Sequence, residues 1–95
     1  MISLEQKNII IETLKPFNPK KIGIFGSFAR NENNEASDID VLYEFNTTIR
    51  LFSLIALKEE LEKKLNKKVD LVSEKYLNPK LKSRILNELN LIYEQ

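Results

Sequence analysis

Asp38 and Asp40 stand one residue apart at the head of a run, Asp38 to Phe45, that is rich in branched and aromatic residues. Alternate side chains of an extended chain leave the same face, roughly 6.6 to 6.8 Å apart at the backbone, so the two carboxylates can converge on one cation. A third carboxylate, Asp70, occupies the middle of another strand-like run, Lys68-Val69-Asp70-Leu71-Val72. If that strand neighbours the first, Asp70 joins the cluster. Two carboxylates about 5 Å apart repel by roughly 3 kcal/mol at an effective dielectric of 20, so three of them call for a cation or for raised pKa values. Hard oxygen donors suit Mg²⁺, and two such ions about 3.5 to 4 Å apart can activate an attacking oxygen while neutralising a leaving pyrophosphate.

Gly26-Ser27 follows the β-prone run Lys21-Ile22-Gly23-Ile24-Phe25 and precedes what the pattern suggests is a helical turn. Backbone N–H groups at such a strand-to-helix junction face an anion, glycine lets the backbone approach phosphate, and Ser27 adds a hydroxyl donor. A nucleoside triphosphate fits that arrangement. No G-x-x-x-x-G-K-[ST] sequence occurs, so this is not a P-loop. Taken singly the signals are weak, because a lone Asp-x-Asp is more often a solvent-facing strand edge or turn and a lone Gly-Ser is a turn. Arg30 suits two acceptors, the acidic loop or carboxylate cluster as a structural partner, or phosphate. Lys63, Lys64, Lys67 and Lys68 read as a solvated helix end, with an RNA or partner patch the lesser reading, and Tyr43, Tyr76 and Tyr93 are expected to pack with their hydroxyls in water.

The remaining composition removes most other chemistries. With no cysteine and no histidine among 95 residues, thiolate nucleophiles, Cys/His zinc sites and histidine triads are excluded. Fifteen basic against fourteen acidic side chains give a net charge of +1, which disfavours direct nucleic-acid binding through phosphate neutralisation alone. The longest apolar runs are far below the roughly 20 residues of a membrane span, and Met1 to Lys7 lacks the character of a signal peptide, so a cytoplasmic protein without membrane contact is expected. A chain of this length supports one core, residues 1–95, and leaves no room for a separate acceptor domain.

Positioning the candidate residues requires few elements. Ser3-Leu4-Glu5-Gln6 has capping-box spacing and opens a helix over about residues 4 to 15, closed by Pro16. The runs 21–25 and 38–45 should be neighbouring strands joined through the polar stretch Asn31 to Glu35. Leu51, Leu54, Ile55, Leu57, Leu61 and Leu65 mark an amphipathic helix before the third strand. Leu81, Ile85, Leu86 and Leu89 mark a final helix beyond Pro79, with Leu91 to Tyr93 its end or a short edge strand. The fold class is α/β (α+β), a small mixed β-sheet flanked by helices.

In combination the motifs are specific. Gly26-Ser27-Phe28-Ala29-Arg30, then Ser37-Asp38-Ile39-Asp40-Val41-Leu42, then Asp70, resembles the nucleotidyltransferase fold of the DNA polymerase beta superfamily, and most closely its minimal, MntA-like members. The usual glycine after the arginine is Asn31 here, a residue that tolerates positive φ better than most. The resemblance implies that Asp38, Asp40 and Asp70 hold two Mg²⁺ ions and act catalytically, Asp70 helping to deprotonate the acceptor. It implies that Gly26, Ser27, Arg30 and Ser37 surround the nucleotide. It further implies an antitoxin that moves AMP from ATP to a tyrosine hydroxyl of a HEPN-domain ribonuclease toxin. A non-catalytic antitoxin that neutralises its partner by covering it is the alternative; homodimers and hetero-oligomers both remain open.

Overall fold

The computed structural model describes residues 2–95. The elements are α1 (Leu4–Leu14), β1 (Pro19–Phe25), β2 (Ile39–Phe45), α2 (Leu51–Leu65), β3 (Val69–Ser73), α3 (Pro79–Glu88) and β4 (Asn90–Glu94), with short 3₁₀ turns at Lys15–Phe17 and Glu74–Tyr76. The capping box forms as the sequence requires: Gln6 N–H donates to Ser3 Oγ at 3.1 Å, and Ser3 N–H donates to Gln6 Oε1 at 2.9 Å. Pro16 lies inside the first 3₁₀ turn, so the α-helix ends at Leu14, a residue before the expected limit.

The four strands lie in the order β3-β2-β1-β4. β1 is antiparallel to β2 and to β4, whereas β2 and β3 are parallel, as a crossover through α2 demands. The stretch around Leu91 to Tyr93 is therefore an edge strand, a fourth one, and not the end of α3.

Strand alternation divides the sheet into two faces with different tasks. Ile22, Ile24, Ile39, Val41, Tyr43 and Val69 join Ile10 and Leu14 of α1 and Leu57, Leu61 and Leu65 of α2 in one buried cluster. The opposite face carries Gly23, Asp40, Leu42 and Asp70. Gly23 is needed there for space, because an added Cβ would come within 2.5 Å of Leu89 Cδ1 and 2.8 Å of its Cγ. Leu89, the residue between α3 and β4, thus rests on β1. α3 itself buries no residue, and Leu81 and Leu86 remain largely exposed. No helix among the described residues is long and apolar enough to cross a membrane.

Two side-chain expectations change. Tyr76 is 80% exposed and does not pack, whereas Tyr43 is buried, and burial raises its hydroxyl pKa against a counteracting hydrogen bond with Ser73. Lys67 is not simply a solvated helix end: its Nζ donates to the Glu35 carbonyl at 2.8 Å and lies 5.7 Å from the Phe28 ring centroid, tying the end of α2 to the loop before β2.

Leu61 is fully buried where α2 meets the sheet. Leu61→Ala should cost about 2 to 5 kcal/mol, read as a lower urea midpoint with little change in slope.

Candidate active site

β1 delivers the chain to Gly26, whose φ of +75° places it in the region that favours glycine. Phe25 is the register partner of Asp40, so the turn begins directly beside that carboxylate. A Cβ on Gly26 would overlap Asp40 Oδ2. One residue therefore makes the turn and leaves room for the acid.

Arg30 N–H donates to the Gly26 carbonyl at 3.1 Å and Glu32 N–H to the Ser27 carbonyl at 2.9 Å, which winds residues 26–31 into consecutive turns. They do not form a helix. The helical turn expected after Ser27 is therefore not continued into a helix, and the donors that it could offer an anion are individual N–H groups, Ser27 and Arg30. Asn31 sits at φ +58°, the left-handed position for which asparagine is suited.

Asp38 lies just before β2 and is exposed, and Asp40, second in the strand, is half-buried. The parallel register sets Asp40 opposite Asp70. Asp70 is the second residue of β3, one place from its start instead of at its centre, and it is exposed. Gly26, Ser27, Arg30, Asp38 and Asp40 line one cleft of about 440 Å³; Asp70 stands on the adjoining strand outside its wall. Ser37 also lies outside that wall, its Oγ accepting from Asn34 N–H at 2.9 Å, which closes the loop ahead of Asp38. A larger groove of about 660 Å³ lies at the other end of β2, but Tyr43, Phe45, Leu54 and Tyr76 border it and its only charged side chains are Glu44 and Lys75. The carboxylate chemistry belongs to the smaller cleft.

Among the described residues, no three acidic, histidine or cysteine side chains are gathered as a ready metal cage. The donor chemistry still fits a hard divalent cation. Burial, followed by the charges of Asp70 and Asp38, raises the Asp40 carboxyl above its ordinary value, with Arg30 opposing. Asp40 thus feels the field of the other two acids, and a cation shared with them would relieve it.

The fourth wall of the cleft was not legible in the sequence. α3 contributes Leu81, Arg84, Ile85 and Glu88. Glu88 Oε1 accepts from Gly26 N–H at 3.0 Å, and Arg30 Nη1 donates to both Glu88 oxygens at 3.2 and 3.0 Å. Arg30 Nε also reaches Glu32 at 3.2 Å, so its acidic-loop partner was foreseeable while its longer-range partner was not. Burial favours a higher Glu88 pKa, but the Gly26 bond, Arg30 and Arg84 together hold the carboxyl below its usual value.

A small mixed sheet with paired aspartates beside a Gly-Ser turn defines the class of nucleotidyltransferases, and comparison with known proteins agrees. Residues 8–95 match the polymerase beta nucleotidyltransferase family. A Methanocaldococcus jannaschii relative assigned as a protein adenylyltransferase is 49% identical over 88% of this chain and 90% of its own length. The protein adenylyltransferase MntA of Thermococcus cleftensis is 35% identical over 94% of this chain and 95% of its own. A solved structure described as a minimal nucleotidyltransferase is 32% identical, covers 90% of this chain and 88% of its own, and superposes with a TM-score of 0.79. The fold also recurs in a toxin–antitoxin structure with AMP-PNP, at a TM-score of 0.85 and 23% identity over 94% of this chain and 73% of that one. It recurs again in a structure of a tri-AMPylated Shewanella oneidensis HEPN toxin with MNT antitoxin, at 0.78 and 22% over 96% and 71%. The chain belongs to the polymerase beta nucleotidyltransferase family as one of its minimal, MntA-like members, and is a nucleotidyltransferase.

Because the Asp40 carboxyl is raised in the folded state, its proton favours folding, and that contribution is lost as pH rises through the folded pKa. Asp40→Asn should therefore stabilise the metal-free protein at pH 7. The gain in melting temperature should shrink as pH falls through the folded pKa and be gone below about pH 4, where the unfolded carboxyl also protonates. Strong destabilisation at pH 7 would instead make Asp40 a structural acceptor.

Proposed function

We propose that this chain is a Mg²⁺-dependent protein adenylyltransferase that moves AMP from ATP to a hydroxyl, a tyrosine in the leading case, of a HEPN-domain ribonuclease toxin, and so acts as its antitoxin. The observation that carries the reading is the shared cleft: Asp38 and Asp40 face Gly26, Ser27 and Arg30 across one small volume, with Asp70 in register beside Asp40. Support for the acceptor comes from the adenylyltransferase relatives and from the AMPylated toxin bound to a protein of the same fold.

Asp38, Asp40 and Asp70 would hold Mg²⁺, which supplies charge neutralisation for the triphosphate and a more acidic acceptor oxygen. The Gly26 N–H, the Ser27 hydroxyl and Arg30 would bind phosphate oxygens, with Ser37 keeping the preceding loop in place. The acceptor oxygen attacks the α-phosphorus as the bond to the pyrophosphate oxygen breaks. Asp70, exposed on the adjoining strand, takes the acceptor proton. In-line attack needs the oxygen roughly 3 to 3.5 Å from phosphorus, a geometry that a docked partner supplies far more readily than a free encounter. The near-neutral charge accords with residues 1–95 working as one domain on a cytoplasmic protein partner rather than on nucleic acid.

Two measurements test this. Saturation with Mg²⁺ and ATP at about 100 times the dissociation constant should add ~2.7 kcal/mol of stability, visible as a higher melting temperature. Incubation with a HEPN toxin, Mg²⁺ and ATP should raise the toxin's intact mass by whole AMP units, and the Asp38→Ala/Asp40→Ala double variant should add none. Equal suppression of the toxin by the double variant, without any mass change in either reaction, would favour neutralisation by binding alone.

A further inference from the structure

The best donors of the cleft already hold an anion, and it belongs to the protein. Glu88 places one oxygen on the Gly26 N–H and both on Arg30, the groups that a phosphate would use. We propose that Glu88 is an internal stand-in for nucleotide phosphate, latching α3 over the cleft, and that the incoming nucleotide must displace it. The proposal rests on the reading of this cleft as a triphosphate site.

Three features suit Glu88 to leave. It is the last residue of α3, and Leu89 after it is already extended, so a change of side-chain rotamer vacates the seat without unwinding the helix. Leu89 stays on Gly23 and keeps the junction with β4 in place. α3 buries no residue of its own, so the carboxylate contacts are a large part of what holds it to the turn. The carboxylate cannot share the Gly26 N–H and the arginine fork with a phosphate, since both are anions seeking the same donors. Arg84 lies one turn earlier on the same helical face and lines the cleft, so once Glu88 withdraws the site gains a second cation for the polyphosphate.

A nucleotide that must open a latch binds more weakly by the fraction of molecules already open. If about one molecule in ten is open, Glu88→Ala should bind both Mg²⁺-ATP and inorganic tripolyphosphate about tenfold more tightly than the unaltered chain. Glu88→Gln, which keeps the shape but not the charge, should tighten binding by a smaller factor. Glu32→Gln removes an acidic partner of Arg30 that does not line the cleft and should change affinity less than about twofold. Titration calorimetry reads these outcomes directly, and melting curves of the variants ensure that folded protein is compared. Unchanged or weakened affinity in both Glu88 variants would overturn the latch and make Glu88 a residue that positions Arg30 for the ligand. Absence of binding by every form would overturn the triphosphate reading itself, and the latch with it.

Discussion

Like charges held side by side govern this structure. Parallel pairing of β2 with β3 sets Asp40 against Asp70, and Asp38 arrives two residues earlier. Such an arrangement disfavours folding, and it persists because the other face of the sheet is a buried apolar core: Ile22, Ile24, Ile39 and Val41 have no exposed surface beneath α1 and α2. Stability and chemistry are thus assigned to opposite sides of one sheet, residue by alternate residue. The separation explains how so short a chain tolerates an electrostatically unfavourable site.

Gly26 links the two anionic problems of the cleft. Its missing side chain makes room for the Asp40 carboxylate, and its N–H offers a donor to an anion on the other side. Arg30, returned to the turn by its backbone bond to Gly26, stands between Asp40, whose charge it eases, and Glu88, with which it pairs. A single strand end therefore serves a cation-seeking and an anion-seeking region that nearly touch. Bringing those two polarities together is what transfer from a metal-bound triphosphate requires.

The parts legible in the sequence are those whose cause is local. Ser3 and Gln6 cap a helix three residues apart, Asn31 takes a left-handed position, and the order of strands and helices follows from hydrophobic spacing. The alignment of Asp70 with Asp40 was also within reach, because a helix between two strands implies a parallel pair. What could not be read depends on distant partners. Glu88 meets Gly26 across 62 positions, and a glutamate on a partly exposed helix carries no local mark of such a role. The turns at 26–31 begin with one helical bond, Arg30 N–H to the Gly26 carbonyl, but the next, Glu32 N–H to the Ser27 carbonyl, spans one residue more. Tyr76 and Lys67 depart from expectation for the same reason: exposure and long-range contacts, not residue type, decide what they do.

The strand order bears on how the chain folds. Ile22 pairs with Tyr43 on one side and with Tyr93 on the other. The first pairing closes a modest loop, but the second joins positions about seventy residues apart and falls among the slow, non-local contacts that limit folding rate. β1, β2, α2 and β3 can assemble from contacts nearer in sequence, placing the three aspartates and the Gly26 turn before β4 docks. A chain arrested at that stage would carry Asp40 and Asp70 in register with the Gly26 N–H not yet met by Glu88, so docking of the last two elements is also what completes the cleft.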